Sequence, residues 1–288
     1  MYPEDLRSLV DGALGELRFS KADATAGIEE AMRYSLLAGG KRVRPVLALS
    51  TARALGADPA RFLPVACAVE LIHTYSLIHD DLPSMDDDEL RRGRPTCHVV
   101  FGEDTAILAG DALFAEAMRL VCERQGGGPG VQVGILSELA RASGVNGMVG
   151  GQFLDLREAG RESAQALRRV HLLKTGRLIA AAVRCALIYA TPPPRVDLAL
   201  RVFARELGLL FQIVDDILDA SGSEEAMGKP VGGDARKGKV TYVTFYGLEQ
   251  ARALAGESHT RAAELIAAVP GPVEDLAALT ELIYARQS

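Results

Sequence analysis

Apolar residues recur at the three- to four-residue spacing of an amphipathic helix over most of the chain. The spacing is regular in residues 106–120 and continues longest in residues 165–190, which predicts a mostly buried helix there. Stretches rich in glycine and proline separate these helix-sized pieces. They lie at residues 56–62, 126–130, 191–195, 221–239 and 270–272.

One segment departs from the helical pattern. Residues 240–247 (VTYVTFYG) are rich in β-branched and aromatic side chains, which by propensity favour a strand. A lone strand would have no partner in this chain, so we predict a helix here as well. No linker of low complexity divides the sequence. We therefore predict one all-α domain over residues 1–288, built as a single large helical bundle.

Composition narrows the classes of function. The net charge of −6 gives no reason to expect binding to nucleic acid. The four cysteines form no CxxC pair and the histidines have no zinc-site spacing, which indicates reduced thiols in the cytosol. The N-terminus lacks the features of a signal peptide, and no apolar run approaches the ~20 residues that span a bilayer. We expect a cytoplasmic protein without a membrane span.

A first cluster of acidic residues follows an apolar segment. Asp80, Asp81 and Asp86 lie in the stretch DDLPSMD, and in an unbroken helix the first and last would be ~9 Å apart along the axis. Pro83 should end or kink the helix, because it lacks an amide hydrogen and clashes with the preceding turn. Asp86 can then fold back toward Asp80.

A second acidic cluster, Asp215, Asp216 and Asp219, also ends an apolar run. Asp215 and Asp219 are four residues apart and share one helix face. Carboxylates without cysteine or histidine neighbours favour hard cations, and sets with open positions suit Mg²⁺. A single cluster could equally be a solvated acidic patch, but two clusters in the same context favour the metal.

Basic residues are concentrated in GGKRVRP (39–45). The glycine pair predicts the end of one helix, and Pro45 suits the first turn of the next. Lys41, Arg42 and Arg44 would then lie at a helix N-terminus, where backbone amides also attract anions, although a basic surface turn has the same pattern. Further basic residues follow at Arg91, Arg92, Lys174, Lys229 and Lys239. A ligand with diphosphate groups, held by Mg²⁺ and by these cations, fits the whole set.

The order and spacing of these motifs resemble the trans-isoprenyl diphosphate synthases. The matching segments are GGKRVRP, IHTYSLIHDD, DDLPSMD with RRG, GGQFLDL, LLKTGRLI, FQIVDDILD and GKPVGGDARKGKVTY, which cover roughly residues 25 to 250. Around the first motif the sequence is similar to bacterial farnesyl diphosphate synthases. The resemblance implies the isoprenoid synthase fold with a deep central cavity, a homodimer, and condensation of isopentenyl diphosphate with an allylic diphosphate.

The resemblance also implies roles for individual residues. The six aspartates would bind Mg²⁺, with three ions when substrate is bound, and Asp80, Asp81, Asp86, Asp215, Asp216 and Lys174 would serve catalysis. The allylic diphosphate would be bound by Arg91, Lys174, Thr175, Gln212, Lys229 and Lys239. Isopentenyl diphosphate would be bound by Gly40, Lys41, Arg44, His73 and Arg92, with Arg286 as a candidate to close over it.

Several of these residues have ordinary structural alternatives. His73 could be a core histidine bonded to a carbonyl, and His79 is expected to pack rather than bind metal. Asp155 is expected to orient a lysine. Phe153 and Phe211 are predicted to be wall residues.

Tyr75 precedes Asp80 by five residues, about 7.5 Å along a helix. In the family that this chain resembles, a bulky aromatic residue here stops growth at fifteen carbons, so we predict farnesyl diphosphate as the product. Geranylgeranyl diphosphate is the main alternative. A class I terpene cyclase would not need the GGKRVRP segment, and a non-catalytic partner subunit would be expected to lose aspartates.

Overall fold

The computed structural model describes residues 2–157, 163–221 and 240–286. Within these ranges the chain is almost entirely helical, as predicted. The helices are α1 (Glu4–Glu16), α2 (Ala26–Leu36), α3 (Val43–Ala54), α4 (Pro59–Asp80), α5 (Cys97–Phe101), α6 (Glu103–Arg124), α7 (Pro129–Ser143), α8 (Met148–Leu156), α9 (Ala164–His171), α10 (Arg177–Ala190), α11 (Pro194–Ser221), α12 (Tyr242–Tyr246), α13 (Leu248–Ala267) and α14 (Glu274–Ala285). A 3-10 turn, Asp23–Thr25, precedes α2, and Leu90–Arg91 pairs with Arg94–Pro95 in a short antiparallel hairpin.

Helix α4 lies at the centre of the bundle and packs against α1, α3, α6 and α10. It is apolar on nearly all sides, as expected of a helix surrounded by protein. Of the helices in the described ranges, α4 alone is long and apolar enough to cross a bilayer, but most of its length is buried in the fold. This burial identifies α4 as a core helix.

The end of α4 confirms the predicted turn at Pro83. The helix stops at Asp80, and the chain reverses so that the Asp86 amide donates to the Asp80 carbonyl at 2.8 Å. The Asp88 amide donates to the Asp81 carbonyl at 3.2 Å. The break thus brings the first and last aspartates of the motif to the same end of α4.

The segment predicted as one helix over 165–190 contains a wider turn. Between α9 and α10, Leu172–Gly176 forms one π-helical turn, and Lys174 and Thr175 lie within it. A Cβ atom on Gly151 of α8 would be 2.1 Å from the Lys174 amide nitrogen, so only glycine permits this close approach. Turns of this kind are frequent at functional sites, because they redirect side chains.

The strand-like segment 240–247 is helical, as predicted. Helix α12 begins after Thr241, whose hydroxyl accepts from the Thr244 amide while the Thr244 hydroxyl accepts from the Thr241 amide. This capping box satisfies backbone donors that the short helix cannot pair internally. Local capping thereby outweighs the strand propensity of valine, threonine and tyrosine.

Candidate active site

The bundle contains a cavity of about 750 Å³ that opens to solvent. Helices α3, α4, α8 and α11, the π-helical turn and the hairpin contribute to its wall. Its lining includes most of the predicted site: Arg44, His73, Tyr75, Asp80, Asp86, Arg91, Arg92, Lys174, Thr175, Gln212, Asp215, Asp216, Asp219 and Arg286. Gly40, Lys41 and Asp81 do not line it, and Lys229 and Lys239 lie outside the described residues.

The first carboxylate group occupies the end of α4. The pKa of Asp80 is raised to about 6, chiefly because burial disfavours its charged form. Lys174 and Arg91 lower that pKa, whereas Asp86 and Asp81 raise it. The charged form of Asp80 is therefore disfavoured in this site, and a bound cation would stabilise it.

Asp81 differs from the other two aspartates. Both of its carboxylate oxygens accept from the Arg91 Nε, at 2.8 and 2.9 Å, and the side chain is buried away from the cavity. In this arrangement Asp81 orients Arg91 and presents no free oxygen toward the cavity. The expectation that all three aspartates bind metal therefore stays a prediction for Asp81, and its geometry favours an orienting role.

The second carboxylate group lies on α11. Asp215, Asp216 and Asp219 all contribute to the cavity wall, and Asp216 also accepts from the Tyr242 amide at 2.6 Å. Asp216 thus ties α11 to the start of α12. Asp215 is the most exposed of the three and lies 3.5 Å from the Arg286 guanidinium.

The donor set suits a hard cation. All six predicted ligands are carboxylates, and the chemistry of Mg²⁺ favours such oxygens together with water and phosphate. Among the residues that the structure describes, no three Asp, Glu, His or Cys side chains are gathered closely enough to bind an ion alone. The residues present therefore fit ions whose remaining ligands come from a phosphorylated substrate.

Lys174 projects from the π-helical turn and forms an ion pair with Asp155 of α8, with its Nζ 2.6 Å from the Asp155 Oδ2. This contact confirms the expectation that Asp155 orients a lysine. The positive charge of Lys174 lowers the pKa of Asp80, which places the ammonium close to the first carboxylate group. The pair therefore presents a cation beside the predicted metal site.

We expect Asp155→Asn to lower kcat/KM for the allylic substrate about ten- to a hundredfold, because the variant removes the carboxylate whose charge fixes the position of the Lys174 ammonium. Steady-state kinetics with the allylic diphosphate varied would measure this. Glu116→Gln, which breaks a surface ion pair with Arg119 on α6, is the matched control and should stay within about twofold. Equal kcat/KM values for Asp155→Asn and the parent would contradict the role of Asp155 in orienting Lys174.

Lys41, Arg44, His73 and Arg92 form a group that we call the cationic clamp. The Arg44 guanidinium lies 3.2 Å from the His73 Nε2, and burial together with Arg44 and Arg92 lowers the pKa of His73 well below its usual value. The pKa of Lys41, an exposed residue, is lowered by partial desolvation and by the positive charge of Arg286. Arg44 and Arg92 line the cavity, and their positive charges together with that of Lys41 provide the environment of an anion site.

Arg92 also fixes the glycine pair. Its guanidinium donates to the Gly39 carbonyl, and a Cβ atom on Gly40 would lie 2.7 Å from the Arg92 Cζ. Gly40 has φ +114°, a conformation that side chains disfavour. The predicted stop is confirmed, with α2 ending at Leu36 shortly before the pair.

Arg42 is a correction to the predicted anion site. Its side chain is 2% exposed and points into the protein, where it pairs with Glu70 and Asp11. A guanidinium already bound to two carboxylates cannot serve the anion site as Lys41 and Arg44 can. The sequence of the basic motif alone could not show that the Arg42 side chain points into the protein.

Tyr75 forms part of the cavity floor. It is 9% exposed, and its ring contacts Phe114 of α6 edge to face, with centroids 5.4 Å apart. The His79 ring also packs against Tyr75, with centroids 5.8 Å apart, and its Nε2 lies 3.0 Å from the Ile107 carbonyl oxygen, so it packs as expected. Phe114 was missed by sequence reasoning, because nothing in the helical pattern of α6 distinguishes it from other core residues.

Phe211 lines the cavity as predicted, and the structure adds two polar wall residues, Gln152 and His171. The Phe211 ring contacts two guanidinium groups, with the Cζ of Arg44 5.7 Å and the Cζ of Arg286 5.5 Å from the ring centroid. Gln152 and His171 line the cavity with buried polar atoms that have no hydrogen-bond partner among the described residues. The GGQFLDL segment was the only sequence signal for Gln152.

Comparisons with known proteins give the same family. Residues 25–283 match the polyprenyl synthetase family. Farnesyl diphosphate synthase of Geobacillus stearothermophilus is 46% identical, over 99% of this chain and 97% of the relative. Geranylgeranyl pyrophosphate synthase 9, chloroplastic, of Arabidopsis thaliana is 45% identical, over 91% and 74%. The similarity therefore spans relatives named for two product lengths.

A solved structure extends the match to the fold. Geranyltransferase from Helicobacter pylori, complexed with magnesium and isoprenyl diphosphate, superposes with a TM-score of 0.89 at 31% identity, covering 98% of this chain and 96% of that one. The all-helical bundle therefore has the isoprenoid synthase fold. Family, full-length relatives and fold agree, and the chain belongs to the polyprenyl synthetase family.

Proposed function

We propose that the chain is a Mg²⁺-dependent farnesyl diphosphate synthase that condenses isopentenyl diphosphate head-to-tail with dimethylallyl or geranyl diphosphate. The carrying observation is the convergence of three features on one cavity: carboxylates from α4 and α11, the cationic side chains of Arg44 and Arg92, and the ring of Tyr75, which we take as the floor. Relatives named farnesyl diphosphate synthase, at 46% and 43% identity, support this product.

Lys174 and Arg91 would bind the allylic diphosphate, and Asp80, Asp86, Asp215 and Asp219 would hold its metal ions. Mg²⁺ supplies positive charge that stabilises the departing diphosphate. The allylic C–O bond breaks, and the double bond of isopentenyl diphosphate attacks the resulting carbocation. The apolar helices around the site exclude water, which would otherwise capture the cation.

The second substrate would be held by Arg44, His73, Lys41 and Arg92. Its double bond would then face the cation, because Arg44, His73 and Arg92 line the same cavity as the carboxylates. After the new C–C bond forms, one proton is lost. The departing diphosphate is the strongest base at the site, and we assign it this role because His73 lies among cations that disfavour protonation.

Of the alternatives, geranylgeranyl diphosphate synthase is the most serious, and the bulky ring of Tyr75 in the cavity wall, packed on Phe114, argues against it. A terpene cyclase does not account for the cationic clamp. A non-catalytic subunit does not account for the retention of all six aspartates.

We further propose a cytoplasmic homodimer. Val99, Val100, Ile107 and Leu108 are exposed apolar residues close together along α5 and α6, a cluster that an interface between two copies could cover. Light scattering should then give twice the mass of one chain.

The function is tested by incubating the protein with labelled isopentenyl diphosphate and dimethylallyl or geranyl diphosphate. We expect incorporation of label in the presence of Mg²⁺ and its loss on addition of EDTA, with recovery when excess Mg²⁺ is restored. Absence of incorporation with either primer would refute the proposal. Full activity after chelation would refute its metal dependence.

A further inference from the structure

Arg42 lies between two residues of the clamp but faces the opposite way. Lys41 is exposed and Arg44 lines the cavity, whereas the Arg42 side chain is buried. Arg42 has φ +50°, a left-handed conformation that is unfavourable for a side chain of this kind. Such a conformation persists where surrounding contacts stabilise it, so the inward turn of Arg42 calls for a structural cause.

Three contacts from three helices supply that cause. The Arg42 Nε donates to the Asp11 Oδ1 of α1 at 2.9 Å, and one terminal nitrogen donates to the Glu70 Oε1 of α4 at 2.7 Å. The other terminal nitrogen donates to the Leu36 carbonyl at the end of α2, at 2.8 Å. All three nitrogens of the guanidinium are therefore engaged.

Glu70 connects this contact to the clamp. It lies three residues before His73 on α4, so the two side chains share one face of that helix. Glu70 binds Arg42, and His73 contacts Arg44 at 3.2 Å. One face of α4 thus contacts both Arg42, which immediately precedes α3, and Arg44, which lies in the first turn of α3.

The backbone of the same loop is held from outside. The Tyr2 hydroxyl donates to the Lys41 carbonyl, and Arg92 donates to the Gly39 carbonyl. These contacts orient the loop's carbonyls but do not join it to α4. The Arg42 side chain provides that link. Because α4 also ends at Asp80, this helix couples the position of the loop to the first carboxylate group.

We propose that Arg42 and Glu70 are positioning residues that hold Lys41 and Arg44 in place to bind isopentenyl diphosphate. Neither touches substrate, and both act through the loop that joins α2 to α3. The inference rests on the proposed function, since it assigns a consequence to the isopentenyl diphosphate clamp. Loss of the pair should loosen that clamp and leave the allylic side, built from α4, α8 and α11, in place.

The test uses the double variant Arg42→Met/Glu70→Met, because removing both partners leaves no unpaired buried charge. We expect its KM for isopentenyl diphosphate to rise about tenfold or more, with KM for the allylic diphosphate within about twofold of the parent. Glu70→Gln, which keeps an oxygen acceptor for Arg42, should show a smaller rise in the same KM.

Arg53→Met is the matched control. Arg53 also joins three helices, pairing with Asp5 of α1 and Asp275 of α14, but it lies at the far end of α3 from the clamp. It should affect thermal stability without changing the ratio of the two KM values. A folded double variant with both KM values unchanged, or with both raised equally, would overturn the inference.

If the double variant does not fold, the ratio of KM values in Glu70→Gln decides, and an unchanged ratio there overturns the inference. Failure of the parent protein to incorporate isopentenyl diphosphate would instead refute the proposed function. The two failures are therefore distinguishable.

Discussion

Asp80→Ala is expected to lower the rate of condensation by about three orders of magnitude or more, because it removes a half-buried carboxylate of the predicted metal site from the cavity wall. The raised pKa of Asp80 reflects a charge that burial disfavours and that a metal ion would stabilise. Single-turnover measurements with geranyl diphosphate would separate this effect from slow product release.

Asp215→Ala should cause a loss of similar size, because the carboxylates of α4 and α11 hold the diphosphate from two sides of one cavity. Glu89→Ala is the matched control, since Glu89 follows the first motif but is exposed and does not line the cavity. Near-normal turnover in either aspartate variant, with Glu89→Ala also unaffected, would refute a metal site with two sides.

Tyr75→Ala is expected to change the product rather than the rate. Removing the ring opens the floor between α4 and α6, so the growing chain can extend past position 75 and accept further five-carbon units. Mass spectrometry should then show products of twenty carbons or more. Condensation itself should continue, because Tyr75 lies on the floor and contacts Phe114 and His79.

Tyr75→Phe is the control, because it keeps the ring and removes only the hydroxyl. Its product should remain at fifteen carbons. If Tyr75→Ala produced the same chain length as the parent, Tyr75 would not be the residue that stops growth, and Phe114 would be the next candidate.

The sequence predicted the features that depend on local chemistry. Pro83 cannot continue a helix, so the return of Asp86 toward Asp80 could be foreseen. The helix at 242–246 could be foreseen only by rejecting an isolated strand, and the Thr241 capping box explains why that choice was right. Both outcomes are set by residues close together in the chain.

Features that depend on distant contacts could not be predicted. The inward turn of Arg42 requires Glu70 and Asp11, which come from other helices. The hydrogen bonds from Arg91 to the Asp81 carboxylate depend on the hairpin, which positions Arg91. The π-helical turn at Lys174 depends on the approach of Gly151 from α8, and no periodicity within residues 165–190 records that approach.

The central claim is that the cavity joins two diphosphate substrates and stops the product at the Tyr75 floor. Its most direct test is the chain length made by the unmodified protein from dimethylallyl diphosphate, excess isopentenyl diphosphate and Mg²⁺, read by mass spectrometry. We predict farnesyl diphosphate, with fifteen carbons, as the dominant product. A dominant twenty-carbon product, or no prenyl product at all, would contradict the account.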